Sequence, residues 1–160
     1  MALSGDRAKL YDENAKRKSG ISAEALTAPW LSVREASGSS WLCARLDRSD
    51  KMLELVAQGD TGGLAALRCH LADDAVIWAV FAFLPGYPYG EGSRKMAFFT
   101  CVGPNVGAMK KGKVALQKSG VVNALDGISA DVGIFSGAAQ VTDAVILNEL
   151  KRNMPAASLM

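Results

Sequence analysis

The chain has 160 residues, of which 49% are hydrophobic and 21% charged, and its formal net charge is +2. This balance is typical of one soluble globular domain and excludes a disordered or fibrous chain. The longest apolar run, residues 75–85, is about half as long as a bilayer-spanning helix, and the charged N-terminus is unlike a signal peptide, so secretion and membrane spanning are not expected.

Hydrophobic periodicity predicts nine elements between a charged N-terminal extension (residues 1–20), which we expect to be flexible, and a short tail (residues 154–160). Continuous apolar runs with β-branched and aromatic members predict strands, whereas apolar residues three, four and seven positions apart predict helices. The order is helix 22–37, strand 40–46, strand 52–57, helix 64–71, strand 75–84, strand 95–102, helix 106–125, strand 131–136 and helix 141–153.

This order predicts an α+β fold, a sandwich in which a central mixed sheet of about five strands lies between helices, in one domain over residues 21–153. Strand 75–84 is almost continuously apolar, which is typical of a central strand buried on both faces. We expect it to pair with strand 95–102 across the loop at residues 85–92. Strands 40–46 and 52–57 flank a turn-rich segment and are expected to form a second hairpin.

Charge is distributed unevenly along the chain. Residues 94–125 carry six basic side chains and no acidic one, residues 1–20 have a net charge of +2, and the remainder has seven basic and thirteen acidic side chains. Helical geometry places Lys110, Lys111 and Lys118 close together, with Lys113 beside them. Because the helix follows strand 95–102 directly, these charges are expected to share one edge with the start of that strand. Such a face either keeps the helix soluble or binds an anionic partner.

The same helix has an apolar set that we expect to face the core. Its members are Val106, Met109, Val114, Leu116, Val121, Val122 and Leu125. Nucleic acid is not expected as the anionic partner, because only 7% of the residues are aromatic and none is interleaved with the lysines.

Patterns for catalysis are absent from the sequence. Cys43, Cys69 and Cys101 have no CxxC spacing, and His70 is the single histidine, so neither a metal nor a cofactor site is expected. Cys43 and Cys101 lie in apolar runs and are expected to be buried, reduced thiols of a cytosolic protein. Cys69 and His70 are neighbours, a spacing that suits a nucleophile pair poorly. The pair Asp73-Asp74 is typical of a solvated turn.

Residues 94–113, RKMAFFTCVGPNVGAMKKGK, resemble the coactosin branch of the actin-depolymerising-factor homology (ADF-H, cofilin-like) family. The shared pattern is a basic dipeptide, a buried strand, an Asn-Val pair and a basic helix. Residues 146–152, ILNELKR, are similar to the closing helix of the family, and weaker matches lie at residues 39–41 and 73–81. The resemblance covers about residues 22–153.

The resemblance implies the ADF-H/gelsolin-like fold and a non-enzymatic protein of the cytoplasm and cytoskeleton that binds the side of actin filaments and modulates their dynamics without strong severing. It implies at most weak binding of monomeric actin, and we expect a monomer rather than an oligomer. The basic residues expected to contact filaments, with Lys118 added from the cationic helix, are Lys95, Arg94, Lys110, Lys111, Lys113, Lys118, Lys151 and Arg152.

Three alternatives remain open from the sequence. The first is a cofilin-like factor that binds monomers, severs or depolymerises. The second is an adaptor for anionic phospholipid that uses the basic run at residues 16–18 together with the helix lysines. The third is a thiol-based enzyme or redox protein.

The sequence departs from the coactosin pattern at several positions. Cys101 stands where many coactosins have tryptophan, and Pro104 stands where they have an acidic residue. The N-terminal extension is longer than the usual start of the family, and Ser4 is its one serine near the terminus. The monomer contact and phosphoserine switch of depolymerising factors are therefore not expected here.

Overall fold

The computed structural model of the chain describes residues 20–35, 39–60, 63–83 and 95–153. Residues 1–19 of the N-terminal extension, the loop at 85–92, the predicted end of the first helix near residue 37, and the C-terminal tail lie outside these ranges. The five strands in the described ranges are β1 (Trp41–Leu46), β2 (Leu53–Gly59), β3 (Val76–Phe83), β4 (Lys95–Val102) and β5 (Ala130–Ser136).

The strands form one mixed sheet in the order β2-β1-β3-β4-β5. β1 pairs antiparallel with both β2 and β3, and β3 pairs antiparallel with β4, so both predicted strand pairs are confirmed. β4 and β5 are parallel. The sheet is therefore mixed and five-stranded, as the sequence predicts.

In the described part of the chain, four helices cover the two faces of the sheet. They are α1 (Thr27–Arg34), α2 (Gly63–Arg68), α3 (Ala108–Ala124) and α4 (Asp143–Asn153), with short 3-10 turns at Glu24–Leu26 and Ala138–Gln140. α1 and α3 pack on one face, and α2 and α4 pack on the other. The four helical regions expected from the sequence are confirmed.

β3 separates two hydrophobic cores, which confirms the expectation of a strand buried on both faces. Val76, Trp78 and Val80 belong to the core under α1 and α3. Ile77 and Ala79 belong to the core under α2 and α4. Because successive side chains of a strand point to opposite faces, a strand in this position needs an apolar residue at almost every place.

The first helix begins later than the sequence predicts. Ser22 forms a parallel bridge with Met52 at the start of β2, with its N–H donating to Lys51 O at 2.7 Å and its carbonyl accepting from Leu53 N at 2.9 Å. The chain becomes α-helical only at Thr27. Pro29 is the third helical residue, where its missing N–H costs no intrahelical hydrogen bond.

The core-facing set of α3 was predicted partly wrongly. Val106, Val114, Val121 and Leu125 are buried, and Val122 is half-buried against the same core, as expected. In contrast, Met109 is 80% exposed and Leu116 is 82% exposed. The reason is angular, since Met109 lies about 140° around the helix axis from Val114, and Leu116 follows Met109 by seven residues and shares its direction.

Gly103, between β4 and α3, lies where two backbone segments meet. Its N–H donates to Ala75 O at 3.0 Å, and the nearby Asn105 N–H donates to Asp73 O at 2.8 Å. A Cβ atom at Gly103 would overlap the backbone carbonyl of Asp73. Only glycine fits this position without displacing backbone atoms.

Replacement of Gly103 by alanine is expected to lower the free energy of unfolding by about 1–3 kcal/mol, because the added methyl group meets backbone that cannot rotate away. Gly112→Ala is the matched control, since a Cβ there enters open space within α3. The control is expected to raise stability by about 0.5–1 kcal/mol through helix propensity. Urea unfolding measures both, and equal effects would contradict the close approach at Gly103.

Candidate functional site

The N-terminal half of α3 projects from the sheet as a ridge of apolar and basic side chains. We define the α3 ridge as Met109, Lys110, Lys111, Lys113 and Leu116, all of which are exposed. The helix is held by buried Val114 and Val121 on another side. At 1.5 Å per residue its 17 residues extend for about 26 Å.

The lysines of the α3 ridge are not neutralised by the protein itself. Lys111 Nζ donates to the carbonyl of Pro104 at 3.4 Å. Within the described part of the chain, none of Lys110, Lys111 and Lys113 forms an ion pair with a carboxylate. Three positive charges are therefore available to a partner. Helical geometry places Lys113 about 40° around the axis from Met109, Lys110 about 100° away and Lys111 about 160° away in the other direction.

A groove of about 1130 Å³ separates the α3 ridge from the turn between β1 and β2. Met109, Lys110 and Lys113 line the helix side, and the turn contributes Asp47 and Asp50 among others. The groove therefore has mixed charge, and two of the three ridge lysines line it together with acidic side chains, whereas Lys111 and Leu116 lie outside it. We call Met109 and Leu116, the two apolar residues of the ridge, the crest of α3.

Asp47 fixes the shape of the β1–β2 turn. Its Oδ1 accepts the backbone N–H groups of Lys51 at 3.0 Å and Met52 at 3.2 Å, and the Ser49 hydroxyl donates to it at 2.9 Å. These hydrogen bonds, the one from Lys51 first, hold the pKa of Asp47 below its ordinary value of 3.8.

Lys118, unlike the ridge lysines, is engaged within the protein. Its Nζ lies 2.6 Å from Oδ2 of Asp131 on β5, and the two side chains are 24% and 35% exposed. The structure therefore places Lys118 between helix and sheet, where its charge is paired with Asp131.

The structure divides the expected cationic edge into two groups. Lys95, which is half-buried, begins β4, whereas the α3 ridge follows the opposite end of that strand. Eight residues of extended strand separate these ends by about 23 Å. Arg94 lies outside the described residues. Lys151 and Arg152 belong to the last turn of α4, and the exposed Arg152 guanidinium lies 3.4 Å from the Glu149 carboxylate.

Two of the three cysteines are packed in the core, as the sequence predicts. Cys43 and Cys101 are buried, and all three thiols are free. Burial, and to a smaller extent the nearby Cys101, raises the pKa of the Cys43 thiol to about 12. Cys69 is exposed, but the neighbouring His70 ring packs on Trp41 with 5.5 Å between ring centroids. The described ranges contain no cluster of three or more potential metal ligands.

Comparison with protein families gives one match, which covers residues 20–151 and describes cofilin/tropomyosin-type actin-binding proteins. The chain belongs to this family. This membership agrees with the resemblance read from residues 94–113.

Solved structures show the same fold. Human coactosin-like protein is 22% identical, with a TM-score of 0.68 and coverage of 82% of this chain and 97% of that one. Coactosin from Entamoeba histolytica is 18% identical, with a TM-score of 0.66 and coverage of 82% and 98%. Mouse coactosin, described as an actin filament binding protein, is 22% identical, with a TM-score of 0.63 and coverage of 81% and 87%.

No curated protein matches the sequence significantly. In the part of the chain that the structure describes, no helix is both long enough and apolar enough to span a membrane.

The apolar part of the α3 ridge is the feature that sequence reasoning missed. Met109 and Leu116 are seven residues apart, so their common direction could be read from the sequence. The same rule places Val114 and Val121 together on another side of the helix. Separating these two stripes, instead of assigning every apolar residue to one core face, would have identified the ridge.

Asp47→Asn tests whether the negative charge of Asp47 stabilises the turn between β1 and β2. Because the folded-state pKa of Asp47 is lowered, its carboxylate stabilises the fold above its ordinary pKa, and this contribution is lost as the pH falls through the folded-state value. We expect the variant to unfold at lower urea concentration than the wild type at pH 6, and the difference to narrow as the pH falls from 5 to 2.5.

The control for this titration is Asp60→Asn, which removes an exposed carboxylate that has no hydrogen bond or ion pair in the described ranges. The urea concentration at which this variant is half unfolded is expected to equal that of the wild type at every pH. A constant difference between Asp47→Asn and the wild type over the acid range would show that charge on Asp47 does not stabilise the turn.

Proposed function

We propose that this protein binds the side of actin filaments and modulates their dynamics without catalysis, as a component of the cytoplasm and cytoskeleton. The observation that carries the proposal is the α3 ridge, in which Met109 and Leu116 are 80% and 82% exposed and three exposed lysines form no ion pair with any described carboxylate. Membership of an actin-binding family and the fold of an actin filament binding coactosin support it.

The composition of the α3 ridge suits an acidic protein surface. Two large apolar side chains on the crest offer area that excludes water from the centre of a contact, which is where most binding energy is found. The lysines around them steer an acidic partner such as actin and fix its orientation. A solvated helix that served only solubility would not need both side chains exposed to this extent.

The second basic group extends the proposed contact. It consists of Lys95, with Arg94 before it in the sequence and Lys151 and Arg152 on α4, and Lys95 lies at the end of β4 opposite to the end from which the chain enters α3. Two contact regions favour an extended partner, and a filament presents more continuous surface than a monomer. We include these four residues together with Lys110, Lys111 and Lys113 in the proposed contact and assign Lys118 another role below.

A cofilin-like activity is the second candidate, because the family match covers cofilins as well. Filament length under the microscope separates the two functions. A side-binding protein leaves the length distribution unchanged, whereas a severing factor shortens it.

Lys95→Ala is expected to weaken filament binding about 5- to 150-fold, which corresponds to about 1–3 kcal/mol, if Lys95 is a central contact. Co-sedimentation with filaments across a salt series measures this, and binding of both proteins is expected to fall as salt rises. Lys51→Ala removes an exposed lysine from the β1–β2 turn and serves as the control for net charge. Wild-type affinity in Lys95→Ala would remove this residue from the contact.

The double variant Met109→Ala, Leu116→Ala tests the apolar crest. We expect at least tenfold weaker filament binding, about 1.4 kcal/mol, because two candidate hot-spot side chains are truncated. Stability is expected to stay within about 0.5 kcal/mol of the wild type, since both side chains are exposed in the free protein.

The matched control for the crest is Leu55→Ala, which truncates a 40% exposed leucine on the edge strand β2. It is expected to pellet with filaments like the wild type. If the double variant pellets equally well, α3 does not form the apolar centre of the contact. If the wild type fails to pellet even at low salt, filament binding itself is wrong, and vesicles with and without anionic phospholipid become the next partner to measure.

A further inference from the structure

The ion pair between Lys118 and Asp131 joins α3 to the edge strand β5. Its 2.6 Å separation and its exposures of 24% and 35% make it the shortest and least exposed ion pair in the described ranges. A charge pair that is three-quarters buried on its lysine side is screened less by solvent than one on the open surface. It is therefore suited to holding two elements together.

Apolar packing leaves the β5 side of α3 open. A depression of about 500 Å³ lies between helix and strand, lined by Ala115, Ser119, Val122 and Ile134 in addition to the ion pair. Packing density is thus low at the place where Lys118 crosses from helix to sheet. The ion pair is the direct polar link across this depression.

The ends of α3 are fixed by other contacts. Beyond its C-terminus, the indole of Trp30 donates to Asp126 O at 2.8 Å, and Arg34 lies 3.9 Å from the Asp126 carboxylate. Before its N-terminus, Asn105 N–H donates to Asp73 O at 2.8 Å. Neither of these attachments fixes the middle of the helix against β5, where Lys118 lies.

Asp131 is oriented before it meets Lys118. Its Oδ1 accepts the Gly133 N–H at 3.1 Å, and Gly133 has a φ of 128°, a conformation that favours glycine. The other carboxylate oxygen, Oδ2, is the one that faces Lys118. A carboxylate held on one side by its own strand presents a fixed anchor to the helix.

Lys118 points away from the crest of the α3 ridge. It lies about 180° around the helix axis from Met109 and about 200° from Leu116. A partner seated on the crest would meet Met109 and Leu116 and would not reach the Lys118 ammonium group without breaking its pair with Asp131.

We infer that Lys118 and Asp131 are positioning residues, which fix the lateral position of α3 on the sheet and thereby the geometry of the α3 ridge. The inference rests on the proposed function for its effect on filament affinity, and on the structure alone for its effect on the helix. It assigns Lys118 to the support of the contact surface and not to the contact itself.

The sign of the change in filament affinity caused by Asp131→Asn distinguishes a positioning role of Lys118 from direct contact with the filament. The variant raises the net charge by one and releases Lys118, while the amide oxygen still accepts the Gly133 N–H. If Lys118 contacts an acidic filament, binding becomes tighter or stays the same. If the pair positions α3, binding weakens about three- to tenfold in spite of the added positive charge. Asp60→Asn makes the same change of charge at an unpaired site and is expected to bind at least as tightly as the wild type.

Two further variants separate the effect of breaking the ion pair from the effect of changing the net charge. Lys118→Arg retains the pair and is expected to bind filaments within twofold of the wild type. Lys118→Met retains the apolar stem but removes the charge, and it is expected to weaken binding as much as Asp131→Asn does. Combining Lys118→Met with Asp131→Asn is expected to give no further loss, because both changes break one interaction.

Hydrogen–deuterium exchange of the α3 amides tests the positioning role of Lys118 and Asp131 in the absence of actin. Asp131→Asn and Lys118→Met are expected to exchange faster than the wild type over the middle of α3, whereas Asp60→Asn is not. If the wild type does not bind filaments, the proposed function fails and exchange alone decides the positioning role. Unchanged exchange in Asp131→Asn, or filament binding at least as tight as the wild type, would overturn the inference.

Discussion

Parallel pairing of β4 with β5 is the constraint on which the rest of the structure depends. Two consecutive parallel strands cannot be joined by a tight turn, so the chain must cross one face of the sheet between them, usually as a helix. Here that crossing is α3. The helix must bury one stripe on the sheet and must leave another stripe facing solvent. Gly103 makes the crossing possible, since it lets the end of β4 approach the backbone of Asp73 before the chain turns into α3.

The exposed side of this crossing helix lies on a hydrophobic core that is complete without it. Both faces of β3 and β4 are buried, so the sheet beneath α3 does not depend on the side chains of its crest. Met109 and Leu116 are for this reason free of a packing role, and their identity is open to selection for a partner. The apolar crest and the surrounding lysines form a surface of the kind that acidic proteins bind, with the apolar area supplying affinity and the charges supplying orientation and rate.

Much of the fold was predictable from the sequence because the strands of this sheet have strong local signals. Residues 75–84 and 95–102 are nearly continuous apolar runs, and their pairing followed from the loop composition between them. The delayed start of the first helix was not predictable, since Ser22 is drawn into a bridge with Met52 by a partner about thirty residues away. The same limit applies to Lys118, because its partner on β5 is known only once the parallel register is known. The distance between Lys95 and the α3 ridge likewise follows from topology and not from closeness in sequence.

The crossover also links the proposed contact surface to the completion of the sheet. The β1–β2 hairpin closes a short loop, whereas β1 pairs with β3 and β4 pairs with β5 across more than thirty residues, which adds loop-closure entropy to both pairings. The ion pair between Lys118 and Asp131 forms only when β5 has joined the sheet, because Asp131 belongs to that strand. A molecule that contains only the two hairpins lacks this attachment of α3, so binding through the proposed surface would distinguish it from the finished fold.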